Sequence, residues 1–113
     1  MVFNKEILFC ILILLFIQIV IWFQLNGQVK WDWFKDNYWL MSLLGVPISY
    51  ALLHSTKYGY IGFGELWPIR LLGFAVGLMT FPIITWIMLG EGITIKTGIS
   101  IVLAGIIMAL QLI

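Results

Sequence analysis

Few side chains in this sequence could do chemistry, and those few lie within or beside long apolar runs. Gln18 is the only mid-run polar residue in the first of these runs, while His54, Glu65 and Arg70 lie near the ends of the next two. A polar or ionisable group at membrane depth is costly and therefore marks a candidate functional site. Each of the four has two interpretations.

Gln18 predicts either a hydrogen bond between two helices or a polar contact for a solute in mid-membrane. His54 could titrate near neutral pH, or be an interfacial histidine without a role. Glu65 and Arg70 are five residues apart around Pro68. They could form a structural ion pair, within one chain or across a dimer, or a gate at the membrane edge.

The aromatic residues are the second group of candidates. Six Trp and four Tyr are present, and membrane-interface belts account for most of them. If the chain encloses a solute path, the aromatic side chains expected to line it beside Gln18 are Trp22, Tyr50, Tyr60 and Trp86.

Enzyme chemistry has no support in the sequence. No metal-ligand spacing, serine–histidine motif or phosphate loop occurs, so we expect no catalytic residues, no metal and no cofactor. The net charge of +1 gives no electrostatic footprint for nucleic acid. Cys10 is the single cysteine, which excludes an internal disulfide, and it is expected to pack as a small apolar residue.

The elements that must position these residues are four apolar runs. The chain is 63% hydrophobic and 10% charged, and a small soluble domain cannot bury so much apolar surface. Each run is close to the roughly 17–25 residues that a helix needs to cross a bilayer. The prediction is an all-α integral membrane protein in which residues 1–113 form one domain with four transmembrane helices, at about 7–25, 38–54, 67–89 and 93–113.

The connections and the N-terminus also carry predictions. The first run is too long for a signal peptide and no cleavage site follows it, so we expect a retained span. The pattern of residues 26–37 predicts an interfacial turn, or a surface that binds a ligand or a partner. Pro47 is expected to bend the second span. Residues 55–65, which contain three glycines, predict a flexible loop or one that lines a cavity.

Two groups of small residues predict helix packing. Gly73 and Gly77 form a GxxxG motif, which lets helix backbones approach closely. Gly98, Gly105 and Ala109 lie on one stripe of the last helix. Either group could pack within one chain, and the second could instead form a dimer seam.

The distribution of Lys and Arg does not predict the orientation of the chain in the membrane. With four spans, Lys5, Lys57 and Arg70 fall on one side and Lys30, Lys35 and Lys96 on the other, which is three against three. Chance explains this balance, or the chain inserts both ways and pairs antiparallel.

The C-terminal half, about residues 58–113, resembles the small multidrug resistance proteins of the drug/metabolite transporter superfamily. Residues 86–91, Trp-Ile-Met-Leu-Gly-Glu, resemble the end of that family's third span and its following turn. Residues 98–105 resemble its seven-residue glycine spacing, and 67–77 the glycine-bearing start of its third span. The resemblance implies a four-helix bundle that works as an antiparallel dimer, with Trp86 on the substrate path.

The sequence departs from that family in the first span. The family carries a mid-span glutamate that binds protons and cationic substrate, whereas this chain has Gln18 at about that depth. Glutamine keeps the hydrogen bonding but cannot titrate or hold negative charge. The expected protein is therefore transporter-like, without being a standard proton–drug antiporter.

The leading hypothesis is a dimeric protein of a bacterial or virus-encoded inner membrane that moves a small solute by alternating access. Its partners would be the lipid bilayer and a second copy of the chain. The alternative is a non-transporting component, either an accessory subunit of a membrane complex or a holin-like, self-associating pore former.

Overall fold

The computed structural model describes residues 4–113, and in this range the chain folds into α-helices without a β-strand. The helices are connected by short turns. They are α1 (Lys5–Lys30), α2 (Asp32–Asp36), α3 (Tyr38–Leu43), α4 (Gly45–Phe63), α5 (Trp67–Leu89) and α6 (Ile95–Leu112).

Three of the described helices, α1, α5 and α6, are long and apolar enough to cross a membrane. α1 has 26 residues, or about 39 Å at 1.5 Å per residue. It begins at Asn4, whose side chain accepts a hydrogen bond from the Ile7 N–H. Its last residue is Lys30, five residues beyond the predicted run, and Trp31 after it adopts an extended conformation. Part of the predicted interfacial turn is therefore helical.

The second apolar run folds differently from the prediction. It is divided at Leu44 into α3 and α4. Pro47 lies in the first turn of α4, where its missing N–H costs no helical hydrogen bond. It therefore lies at the start of a helix, and the expected mid-span bend is wrong.

The predicted loop at residues 55–65 is also wrong over most of its length. α4 continues through Gly59 and Gly62 and ends at Phe63, and Gly64 forms a left-handed cap with φ 76°. Only a turn of three residues separates α4 from α5. The reason is tertiary packing. Gly62 faces α1, and Gly59 faces both α1 and α5, so that α4 can approach these helices closely.

α1 lies at the centre of the fold, packed against both α4 and α5, while α6 packs on α5. α1 and α4 are antiparallel, because Gly62 near the end of α4 lies against Ile7 near the start of α1. α1 and α5 are parallel, because Gly73 and Gly77 face Leu14 and Gln18 in the same order. The described chain is a flat body of 44 × 35 × 18 Å.

The core is small and the apolar surface is large. The buried cluster consists of Cys10, Leu14, Ile69, Leu72 and Val76, and Met108 of α6 packs against it. Large apolar side chains cover the outside of every long helix, among them Phe16, Leu53, Ile87 and Ile95.

Candidate functional site

A cavity of about 410 Å³ lies between α1, α4 and α5. Most of its wall is apolar, and the polar side chains come from all three helices. The lining residues are Leu14, Ile17, Gln18, Ile21, Leu52, Ser55, Thr56, Leu66, Ile69, Arg70, Gly73 and Phe74. The structure thus brings together Gln18 and Arg70, two residues that the sequence marks separately.

Gln18 lies at the midpoint of α1, and Gly77 of α5 makes room for it. A Cβ atom added at Gly77 would lie 3.1 Å from the Gln18 Oε1 atom and 3.2 Å from Nε2. The amide makes no hydrogen bond with another residue in 4–113, and no side-chain polar atom in this range is both buried and without a partner. The amide therefore remains accessible to a ligand, as donor and as acceptor.

Arg70 lies in the first turn of α5 and supplies the charge of the cavity. Its guanidinium is 5.6 Å from the centre of the Phe74 ring, a cation–π distance. Seven residues separate Arg70 from Gly77, which corresponds to about 10 Å along the helix. The cavity therefore has a cation toward one end of the helices and an amide near their middle.

Ser55 and Thr56 line the cavity from α4, although both fall in the predicted loop. The Ser55 hydroxyl is 3.4 Å from the Cys10 Sγ atom and 3.4 Å from the Cys10 carbonyl oxygen, so it joins α4 to α1. The Thr56 hydroxyl donates to the Leu52 carbonyl at 2.9 Å. One sequence signal could have found this wall: Ser55, Gly59 and Gly62 have the four- and three-residue spacing of a single helix face.

His54 and Tyr50 lie apart from this cavity. Their rings meet edge to face with centroids 4.6 Å apart, and both line a separate, shallow groove with residues of α1. Tyr50 is 66% exposed. His54 is the middle residue of α4, so the expected position at the end of a span is wrong.

The other aromatic candidates do not line the Gln18 cavity. Trp22 is 2% exposed, and its indole Nε1 donates to the Thr85 hydroxyl at 2.9 Å, so it holds α1 to α5. Tyr60 and Trp86 are both more than half exposed. Their part in a solute path stays a prediction.

Glu65 lies in the turn before α5, next to the lining residue Leu66. It is exposed, as is Arg70. This places Glu65 near the Arg70 end of the cavity along the chain, and its ion pair or gate with Arg70 stays a prediction.

The two groups of small residues have different surroundings. Gly73 and Gly77 face α1 inside the protein. Gly98 and Gly105 have no atom within 4 Å of an added Cβ, apart from their own helix backbone and chain neighbours, and Ala109 is exposed. The stripe on α6 is therefore open in the single chain.

Within residues 4–113, no three His, Cys, Asp or Glu side chains are close enough together to hold a metal ion. The polar groups of the cavity are one guanidinium, one amide and two hydroxyls. These groups can bind and orient a solute by charge and hydrogen bonds.

No family model, curated protein or solved structure matches this chain.

Proposed function

We propose that this chain is an integral membrane protein with four crossings that moves a small solute through the cavity between α1, α4 and α5. The exposed apolar side chains on every long helix support a lipid environment, since water would penalise so much apolar surface. α4 supplies the fourth crossing. Its 19 residues span about 28 Å, close to the roughly 30 Å of a bilayer core.

The composition of α4 fits a crossing that faces protein on one side. Ser55 is buried against α1, and Gly59 against α1 and α5. These two residues lower the mean hydropathy of the helix, and neither faces lipid. Lys57 lies six residues before the end of α4, within reach of the interface for a long side chain that extends along the helix.

If α4 crosses the membrane, residues 4 and 65 lie on one side of it and residue 36 on the other. In a Cys10→Ala background, Asn4→Cys and Glu65→Cys are expected to react with a membrane-impermeant thiol reagent in the same proportion, and Asp36→Cys in the complementary proportion. The comparison requires a preparation in which one orientation predominates, because equal insertion in both orientations would make the two proportions identical. If Glu65→Cys instead follows Asp36→Cys, α4 does not cross the membrane and the four-crossing proposal is wrong.

The observation that supports transport is the cavity itself. Its wall is built by three helices, and an accessible amide lies at the middle of α1. Ligand sites are typically concave and mostly apolar, with a few placed polar groups. The resemblance to small multidrug resistance proteins adds alternating access in an antiparallel dimer. With Gln18 in place of a carboxylate, proton-coupled drug export is not part of the proposal.

The open stripe on α6 supports the dimer. Ala104 is the one buried residue of α6, so most of the helix is available to lipid or to a second copy. The same surface would serve a non-transporting subunit or a self-associating pore former. Purification in mild detergent separates these cases: a dimer favours the transporter, whereas large homo-oligomers or stoichiometric foreign subunits favour the alternative.

Gln18 provides the functional test. We expect Gln18→Leu to reduce solute flux into proteoliposomes at least tenfold, because it removes the mid-membrane donor and acceptor while nearly preserving volume. The probes are octanesulfonate, octyl glucoside and octyltrimethylammonium, which share a tail and differ in headgroup charge. The initial rate of uptake is measured for each, above that of protein-free liposomes.

Gln111→Leu is the matched control. It makes the same substitution on α6, away from the cavity lining, and should leave flux unchanged. Wild-type flux in Gln18→Leu would exclude Gln18 from the path. Absence of protein-dependent flux for all three probes would count against transport and favour the subunit alternative.

A further inference from the structure

We propose that the cavity between α1, α4 and α5 binds a single-chain amphiphile with an anionic headgroup, such as a carboxylate or sulfonate. The headgroup would lie at Arg70 and the apolar tail would extend toward Gln18. This names the substrate class of the proposed transporter and rests on that function for its transport step, whereas binding can be tested separately.

Charge is the first reason. Among the described residues that line the cavity, Arg70 alone is charged. A guanidinium stays protonated at all physiological pH values and presents a planar set of donors that matches carboxylate and sulfonate oxygens. A cationic headgroup would be repelled at the same place, and a neutral one would gain no charge–charge attraction to the guanidinium.

The surroundings of Arg70 add to this preference. The Phe74 ring lies 5.6 Å from the guanidinium and also lines the cavity, so the cation lies beside a second lining residue of α5. α5 begins at the same end, and its N-cap residue Leu66 provides no side-chain hydrogen bond to the first turn. The positive end of the helix dipole therefore also favours an anion there.

The apolar wall and the volume of the cavity indicate the length and number of the ligand's alkyl tails. Between Arg70 and the level of Gln18 the wall is formed mainly by aliphatic side chains, among them Leu14, Ile17 and Ile69. This region suits an alkyl tail of about 10 Å, the axial distance from Arg70 to Gly77. A volume of about 410 Å³ is at the small end of the roughly 300–1,000 Å³ typical of ligand pockets, which favours one chain over a two-chain phospholipid.

The test measures binding to the full chain in phosphatidylcholine nanodiscs, with empty nanodiscs as background. Radiolabelled octanesulfonate is expected to bind saturably, and unlabelled octanesulfonate to displace it, while octyltrimethylammonium and octyl glucoside do not. Arg70→Gln should weaken binding by roughly tenfold to a hundredfold, the loss of a charged hydrogen-bonded contact. Arg70→Lys should retain part of the affinity, because it keeps the charge without the planar fork.

Lys57→Gln is the matched charge control. Lys57 lies on α4 beside the Tyr58 ring and is not a lining residue, so binding should be unchanged. Equal losses in Lys57→Gln and Arg70→Gln would assign the effect to general surface charge and overturn the proposal. Displacement by octyltrimethylammonium as effective as that by octanesulfonate would overturn it without any variant, so the test does not depend on the folding of Arg70→Gln.

Three further outcomes separate this inference from a phospholipid site and from the proposed transport function. If nanodiscs that contain phosphatidylglycerol abolish octanesulfonate binding, the site belongs to an anionic phospholipid and the free-amphiphile proposal is wrong. Arg70-dependent binding without flux in proteoliposomes would refute transport and leave the binding site intact. Flux that does not discriminate among the three headgroups would support transport and refute the anion preference.

Discussion

Trp22→Ala is expected to lower the free energy of unfolding by about 3–5 kcal/mol, the range for removal of a large buried aromatic side chain. Trp22 is 2% exposed and fills the contact between α1 and α5. Its indole Nε1 donates to the Thr85 hydroxyl at 2.9 Å, and Thr85 is itself buried. Alanine would leave a cavity and an unpaired hydroxyl at the same place. Unfolding by denaturant in mixed micelles, followed by circular dichroism, measures the difference.

Trp86→Ala is the control with the same substitution. Trp86 is 55% exposed, and the expected loss is below about 1 kcal/mol, since its truncation leaves no internal cavity. Trp22→Phe and Thr85→Val, alone and combined, isolate the hydrogen bond, with an expected coupling of about 0.6–1.7 kcal/mol. Equal losses in the two alanine variants, or no coupling in the cycle, would contradict the proposed contact between α1 and α5.

The contrast between these tryptophans shows what the sequence cannot supply. Both lie in strongly apolar helices with similar neighbours. Trp22 is buried and Trp86 exposed because of the rotation of each helix about its axis, which depends on the partner helix. Composition identifies the helices, but their rotation follows from packing, so sequence alone could not distinguish a contact between helices from a path-lining aromatic.

Helix boundaries were predictable where a local signal marks them. The predicted third span, 67–89, has the same bounds as α5, Trp67–Leu89. Pro68 suits the first turn of that helix, and Gly90 ends it in a left-handed conformation with φ 72°. Both signals act within a few residues and need no partner, so they can be identified in the sequence.

α4 was not predictable in the same way. Apolarity declines after residue 54, yet the helix continues to Phe63. Its small residues bury the side facing α1, while Lys57 and Tyr60 point outward. A hydropathy window averages the two faces and therefore ends too early. The length of α4 is explained by its packing against α1, which is visible only in the folded chain.

The cavity was predictable only in part. Gln18 and Arg70 stand out because polar groups are rare in apolar runs. Their position on one cavity wall depends on the register of α1 against α5, which places Gln18 beside Gly77 and Arg70 two turns away. Register is set by the packing of Gly73 and Gly77 on α1. The sequence indicated that these glycines pack closely, without indicating which helix they contact.

The close packing between helices leads to a second large expected effect. Gly59→Leu should lower the free energy of unfolding toward the upper end of the roughly 1–3 kcal/mol typical of overpacking. A Cβ atom at Gly59 would lie 2.7 Å from the Ile69 Cγ1 atom and 3.0 Å from the Cys10 Sγ atom. Both neighbours are buried, so α4 would have to move away from α1 and α5. The same mixed-micelle unfolding experiment measures the loss.

Gly98→Leu and Gly105→Leu are matched controls that also test the role of α6. A side chain at either position meets open space, so stability of the single chain should change by less than about 0.5 kcal/mol. If the stripe forms the dimer seam, these substitutions should instead shift the detergent-solubilised protein from dimer to monomer in analytical ultracentrifugation. Gly59→Leu would then act on folding and the α6 variants on association. Similar losses of stability at all three glycines would contradict the packing of α4, and an unchanged dimer in both α6 variants would exclude the stripe as the seam.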